Sequence, residues 1–198
     1  MKFLTASLLL LLFYPPPAKA QSGPAQADHE LELWTGGGHS VGGGIGGIGA
    51  WNVGLRYGWI LTRPHGPGIL RGQFEYAVDV VPVFWVFEPK GTAYGFVLDP
   101  IALKWDFREH GRVVPYFELS GGALFTTRDV PPGISNVNFA SGGAAGVYFL
   151  GKEQGWSAEL RFTHISDAGL TTPNPGVNTI QVRLGFSAFR HRKQAGHK

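Results

Sequence analysis

The chain of 198 residues has no cysteine, few charges and no apolar run long enough for a membrane-spanning helix. Without cysteine there is neither a disulfide framework nor a thiolate metal site. The N-terminal apolar stretch, Phe3 to Tyr14, ends at Pro15-Pro16-Pro17, short of the about 20 residues a helical anchor needs. Charged residues make up only 16% of the chain and the formal balance is +3. Two of those positive charges, Lys2 and Lys19, lie in the first twenty residues, so that +3 − 2 = +1 without them. That is too little excess charge for a nucleic-acid binder. The pI of 9.3 reflects in large part the end of the chain, where Arg190, Arg192, Lys193 and Lys198 cluster.

What is present is glycine, 30 residues, and aromatic side chains, 13% of the total. Glycines and β-branched or aromatic residues interrupt every candidate amphipathic helix, which points to an all-β chain. Residues 1–20 read as an export signal: a positive start, a short apolar core, and Ala18-Lys19-Ala20 at the cleavage point. Residues 21–28 read as a disordered lead-in, 29–189 as one β domain, and 190–198 as a basic tail.

Period-two patterning bounded by turn residues gives eight segments, at 29–40, 48–62, 72–87, 93–107, 112–127, 136–150, 155–166 and 178–189. The separators carry turn chemistry, for example Pro64-His65-Gly66-Pro67-Gly68, Pro131-Pro132-Gly133 and Pro173-Asn174-Pro175-Gly176. In the second segment Trp51, Val53, Leu55, Tyr57, Trp59 and Leu61 share one face, and Asn52, Gly54, Arg56 and Gly58 the other. The third sets Phe74, Tyr76, Val78 and Val80 against Gln73, Glu75, Ala77 and Asp79. The last sets Ile180, Val182, Leu184 and Phe186 against Thr179, Gln181, Arg183, Gly185 and Ser187.

A soluble sandwich buries its large apolar face. A transmembrane barrel turns that face to lipid and keeps small or polar residues inside. Segments mostly above ten residues suit spanning strands tilted by about 45° better than ordinary strands of about 5–6 residues. The expected fold is therefore an eight-stranded antiparallel transmembrane β-barrel of the outer membrane. A secreted lipocalin-like barrel with an apolar cavity is the alternative. With an even strand number both termini lie on the periplasmic side, and the seventh strand ends at the external surface.

The seventh segment carries Trp156, Ala158, Leu160, Phe162, His164 and Ser166 on one face. Residues i and i+2 of a strand lie about 6.6 Å apart along the chain, a gap that side-chain rotamers close. A histidine in reach of a serine can remove its proton and make it a nucleophile. Here the pair sits at the outer end of an apolar face, where it would meet the outer leaflet from the side.

The pattern His164-x-Ser166-x-Ala168-Gly169-x-x-x-Pro173-Asn174-x-Gly176 resembles the lipid A 3-O-deacylase (PagL-type) family of outer-membrane esterases, most closely over residues 160–189. The resemblance implies hydrolysis of the ester-linked 3-hydroxyacyl chain at position 3 of lipid A. Ser166 would be the nucleophile and His164 the general base. Asn174 and the Gly169 N–H would be the oxyanion donors. It also implies an acidic triad partner fourteen residues after the histidine. That position is Asn178, which can hold an imidazole but adds no charge. Where the family pattern wants asparagine after the nucleophile, this chain has Asp167, with two possible roles: orienting His164, or binding a cation that bridges to lipid A phosphates. The implied partners are lipid A or lipopolysaccharide and outer-membrane lipid.

No metal or cofactor is expected, because the remaining histidines (His29, His39, His65, His110, His191 and His197) lack ligand spacing. The glycine run 36–49 lacks the strand-to-helix context of a phosphate loop and reads as a bent strand and first external loop. Glu159 and Arg161 point inward with Glu75, Asp79, Glu118, Arg56 and Arg183, as paired filling or as a proton relay or channel. A catalytically silent barrel of the same family and a small pore complete the alternatives. Eight strands enclose an interior that side chains fill.

Overall fold

A computed structural model describes residues 23–151 and 154–190. Eight antiparallel strands follow one another around a closed barrel: β1 (His29–Ser40), β2 (Gly49–Ile60), β3 (Gly72–Glu88), β4 (Gly91–Phe107), β5 (Val113–Thr126), β6 (Val137–Leu150), β7 (Gly155–Ser166) and β8 (Val177–Arg190). Each strand pairs with its sequence neighbour, and β1 pairs with β8 to close the ring. Every strand end lies within two residues of its expected position. Closure leaves no unpaired sheet edge, the condition for strands to cross a bilayer.

The inside-out pattern is borne out. Arg56 and Glu118 are 1% and 0% exposed, while Leu160 and Val182 are 56% and 58% exposed. Outward aromatic side chains form two belts. Trp51, Trp85 and Tyr94 pack together at one end of the barrel, and Tyr57, Trp59 and Tyr76 at the end that carries both termini. Such belts mark the two membrane–water interfaces. The lipocalin-like alternative, which needs an apolar interior, is excluded by what fills the barrel.

The interior is layered. At the end away from the termini an apolar cluster that includes Trp34, Val81, Phe84, Leu124, Ile165 and Val177 closes the barrel. The middle holds charge in complementary pairs. Arg56 donates to both Asp79 oxygens at 2.8 Å and to Glu118 at 2.5 and 2.8 Å. Arg161 donates to Glu159 at 2.7 Å and also to Glu118. Nearer the termini Lys104 meets Glu30 at 2.6 Å, Glu75 at 3.1 Å, and the Tyr148 hydroxyl. Arg183 stacks over the Trp34 ring at 3.8 Å. Buried charges survive only when paired in this way. The cavity between the charged layer and this apolar cluster holds about 50 Å³, room for one or two waters.

Where a disordered lead-in was expected over 21–28, Pro24–Gln26 form a short 3-10 turn and Ala27 is buried against Val114, Tyr116, Tyr148, Leu150 and Phe189. The Asp28 N–H donates to the Arg190 carbonyl at 2.9 Å. Covering this cluster and lengthening the β1–β8 ladder orders residues 24–28, and residues 21 and 22 lie outside the described residues. The expected signal, residues 1–20, and the tail beyond Arg190 lie outside the described residues.

Candidate active site

Two local rules bring three side chains together. His164 and Ser166 share the outward face of β7 because they are two apart. The β7–β8 register sets His164 directly opposite Asn178. The His164 Nε2 lies 2.9 Å from Ser166 Oγ, and its Nδ1 lies 2.7 Å from Asn178 Oδ1. An amide oxygen only accepts, so Nδ1 carries the proton and Nε2 presents its lone pair to the serine hydroxyl. That is the tautomer a general base needs.

The loop between β7 and β8 is folded by Asp167. Its carboxylate accepts from the Gly169 N–H at 3.0 Å, the Thr171 N–H at 2.8 Å and the Thr171 hydroxyl at 2.5 Å. The Leu170 N–H donates to the Asp167 carbonyl at 3.2 Å, closing a turn whose central residues, Ala168 and Gly169, both have positive φ. The Thr171 hydroxyl above all, with the N–H groups of Gly169, Thr171 and Leu170, holds the Asp167 carboxyl below the ordinary carboxylate range, against the effect of burial. Two expectations change as a result. Asp167 does not orient His164, whose two ring nitrogens are occupied by Asn178 and Ser166. The Gly169 N–H is committed to Asp167 and is not free to meet an oxyanion. Asn174, further along the loop, has a buried Oδ1 with no hydrogen-bond partner among the described residues.

The loop between β1 and β2 closes over the other side. Asn178 Nδ2 donates to the Gly42 carbonyl at 3.3 Å. Gly176 lies against the imidazole: a methyl group there would come within 2.8 Å of His164 Cε1. Neither the Gly42 contact nor this packing of Gly176 was visible in the sequence, although the glycine run and the motif glycine were.

Beside the pair the lipid-facing surface dips. Phe139 and Ser141 of β6 are registered opposite Ser166 and His164. On β5, Ala123 and Gly121 stand opposite those two, and on β4 Leu98 and Ile101 come next. The register slips between Leu98 and Ile101, bulging Asp99 and Pro100 out of the ladder. Small residues between larger ones leave an apolar trough of about 720 Å³, bounded by Phe125, Phe139, Leu98 and Ile101. Spacings of about 4.8 Å between strands carry it roughly 15 Å from β6, the neighbour of β7, to Val78 and Val80 of β3. Its sequence signal was the run of glycine, alanine and serine at outward positions where aliphatic residues are the rule.

The family model described as lipid A 3-O-deacylase (PagL) matches residues 49–187. Among solved structures, the outer membrane enzyme PagL superposes with a TM-score of 0.57 at 16% identity, covering 78% of this chain and 97% of that one. Neisserial surface protein A superposes with a TM-score of 0.56 at 14% identity, covering 82% and 97%. At these identities the two structures speak for the barrel fold alone. No curated protein sequence matches the chain.

Proposed function

From the premise that this chain belongs to the lipid A 3-O-deacylase family, we propose that it is an outer-membrane serine esterase that removes the ester-linked 3-hydroxyacyl chain at position 3 of lipid A. The observation that carries the reading is the hydrogen-bonded chain Ser166–His164–Asn178 at the external end of a lipid-facing strand. A soluble ester would gain nothing from a site there. A lipid in the outer leaflet meets it without leaving the membrane.

In the proposed reaction His164 Nε2 takes the Ser166 proton as Oγ attacks the acyl carbonyl. Asn178 Oδ1 keeps the Nδ1–H in place through the step. The tetrahedral oxyanion forms near the β7–β8 loop, where the Asn174 side-chain Nδ2–H, from the asparagine of the family's motif, is the donor assigned to meet it. Collapse expels the sugar 3-alkoxide, which receives the proton from His164. The acyl group remains on Ser166 until water, activated by the same histidine, releases the fatty acid. The trough that starts on β6 at Phe139 and Ser141, registered opposite Ser166 and His164, suits the acyl chain. Because Asn178 is neutral, the imidazolium formed midway lacks the charge that a carboxylate would supply, so turnover should be slower than with an acid at this place.

The test is expression in a Gram-negative outer membrane, with lipid A read by mass spectrometry beside Ser166→Ala and His164→Ala. Loss of one hydroxyacyl chain that requires both residues is the expected result. Unchanged lipid A from a correctly inserted barrel would refute it and leave the catalytically silent reading.

A further inference from the structure

We infer that the first external loop is a positioning element of this site: the Gly42 carbonyl decides which way round the Asn178 amide sits, and so which tautomer His164 adopts. Its effect on rate rests on the deacylase reading above. An asparagine amide has an accepting end and a donating end of nearly equal shape. A carboxylate in its place accepts with either oxygen and needs no such control. With the amide reversed, Nδ2 would donate to His164 Nδ1. The ring proton would then sit on Nε2, which could no longer accept from Ser166. Only one of the two orientations is productive.

The loop selects it. The Gly42 carbonyl lies 3.3 Å from Asn178 Nδ2 and can only accept. Reversal would set Oδ1 against that carbonyl, two acceptors with no proton between them. The loop is anchored on both sides of the contact, by Val41 N–H to the Asn178 carbonyl at 2.8 Å and Ile45 N–H to the Gly176 carbonyl at 3.0 Å. So close an approach requires glycine. Gly43 has φ +90°, and a Cβ on it would stand 3.0 Å from Asn178 Nδ2; a Cβ on Gly44 would stand 2.9 Å from the Gly176 carbonyl. Gly46, by contrast, has open space around it. The neutral residue at 178 and the glycine-rich loop therefore act as one device.

Nitrogen-15 NMR of the histidine-labelled protein in detergent micelles reads the tautomer directly, whether or not lipid A is cleaved. The wild type should show His164 as the Nδ1–H form. Gly43→Ala should bring in the Nε2–H form and lower kcat about fivefold, the worth of one net hydrogen bond, with KM within twofold. Gly46→Ala should match the wild type. In an Asn178→Asp background, where the acceptor is symmetric, Gly43→Ala should no longer shift the tautomer. Should Gly43→Ala fail to insert, Ile45→Pro deletes the N–H that tethers the loop and should act alike. An unshifted tautomer in both loop variants would overturn the inference, as would an equal shift in the Asn178→Asp background. A wild type that shows the Nδ1–H form yet leaves lipid A intact would refute the deacylase reading alone.

Discussion

One methyl group placed at Gly176 tests the whole site. The backbone there has φ +61°, and an added Cβ would lie 2.8 Å from His164 Cε1, 3.1 Å from the Ile165 carbonyl and 3.5 Å from His164 Nε2. Carbon atoms in contact prefer about 3.5–4.0 Å, so the ring must retreat by about 0.7 Å or more. It cannot do so freely, because Asn178 and Ser166 hold it at 2.7 and 2.9 Å. Displacing a reacting group by about 1 Å costs roughly 10²-fold in rate. The left-handed backbone adds about 1–2 kcal/mol of strain for a residue with a Cβ. Gly133→Ala is the matched control, with φ +79° and nothing within 4 Å of the added carbon; it should lose the strain energy alone. The expected result is that Gly176→Ala inserts as a barrel, judged by its heat-dependent gel mobility, yet deacylates lipid A roughly 10²-fold more slowly than Gly133→Ala. Rates within twofold of each other would mean that the imidazole is not held where its hydrogen bonds place it, and the reasoning would fail.

Gly121→Leu should fill the trough without disturbing the barrel, since its outward Cβ would meet only Ser141 Cβ at 3.7 Å. Hydrolysis of long-chain nitrophenyl esters should fall while short-chain esters are cleaved as before; equal losses on both would remove the trough from the acyl path. Arg56→Met leaves Glu118 with Arg161 alone and Asp79 with only Arg183 at 3.8 Å, and breaking a buried pair from one side costs about 3–5 kcal/mol. Urea unfolding from lipid bilayers measures it, and a loss below about 1 kcal/mol would mean that the interior is hydrated enough to screen these charges. The Asp167 carboxyl is held below its ordinary value, so its support of the loop is complete above the unfolded pKa of about 3.9 and is lost as pH falls through the lower folded one. Exchange protection of the Thr171 amide should stay level from neutral pH down to about 4 and drop only below it; a drop between about 6 and 5 would point to a different titrating group.

The barrel was legible because its signal is redundant. Eight period-two runs, bounded by proline and glycine turns, specify strand number and parity, and alternation specifies the facing of each side chain. The hydrogen-bonded chain Ser166–His164–Asn178 was legible in part. His164 and Ser166 share a face by parity alone, and Asn178 stands opposite His164 only because the β7–β8 register puts it there. The loop-folding role of Asp167 was not legible, because residue type cannot tell a carboxylate aimed at a neighbouring histidine from one folded back on its own loop. The order of Gly23–Asp28 was missed for a similar reason: Ala27 becomes core only when the end of the barrel offers a cluster to cover.

Local periodicity, then, was enough to determine an eight-stranded barrel with apolar residues outward and a histidine–serine pair at its external end, since each of these follows from the two-residue repeat of a strand. The tertiary structure alone decided the rest: that Asn178 completes a hydrogen-bonded chain under a carbonyl from the far end of the sequence, that Asp167 serves its loop, and that small residues on β5 and β6 open a trough beside Ser166. These depend on register, closure and loop packing between segments distant along the chain, which no local pattern encodes.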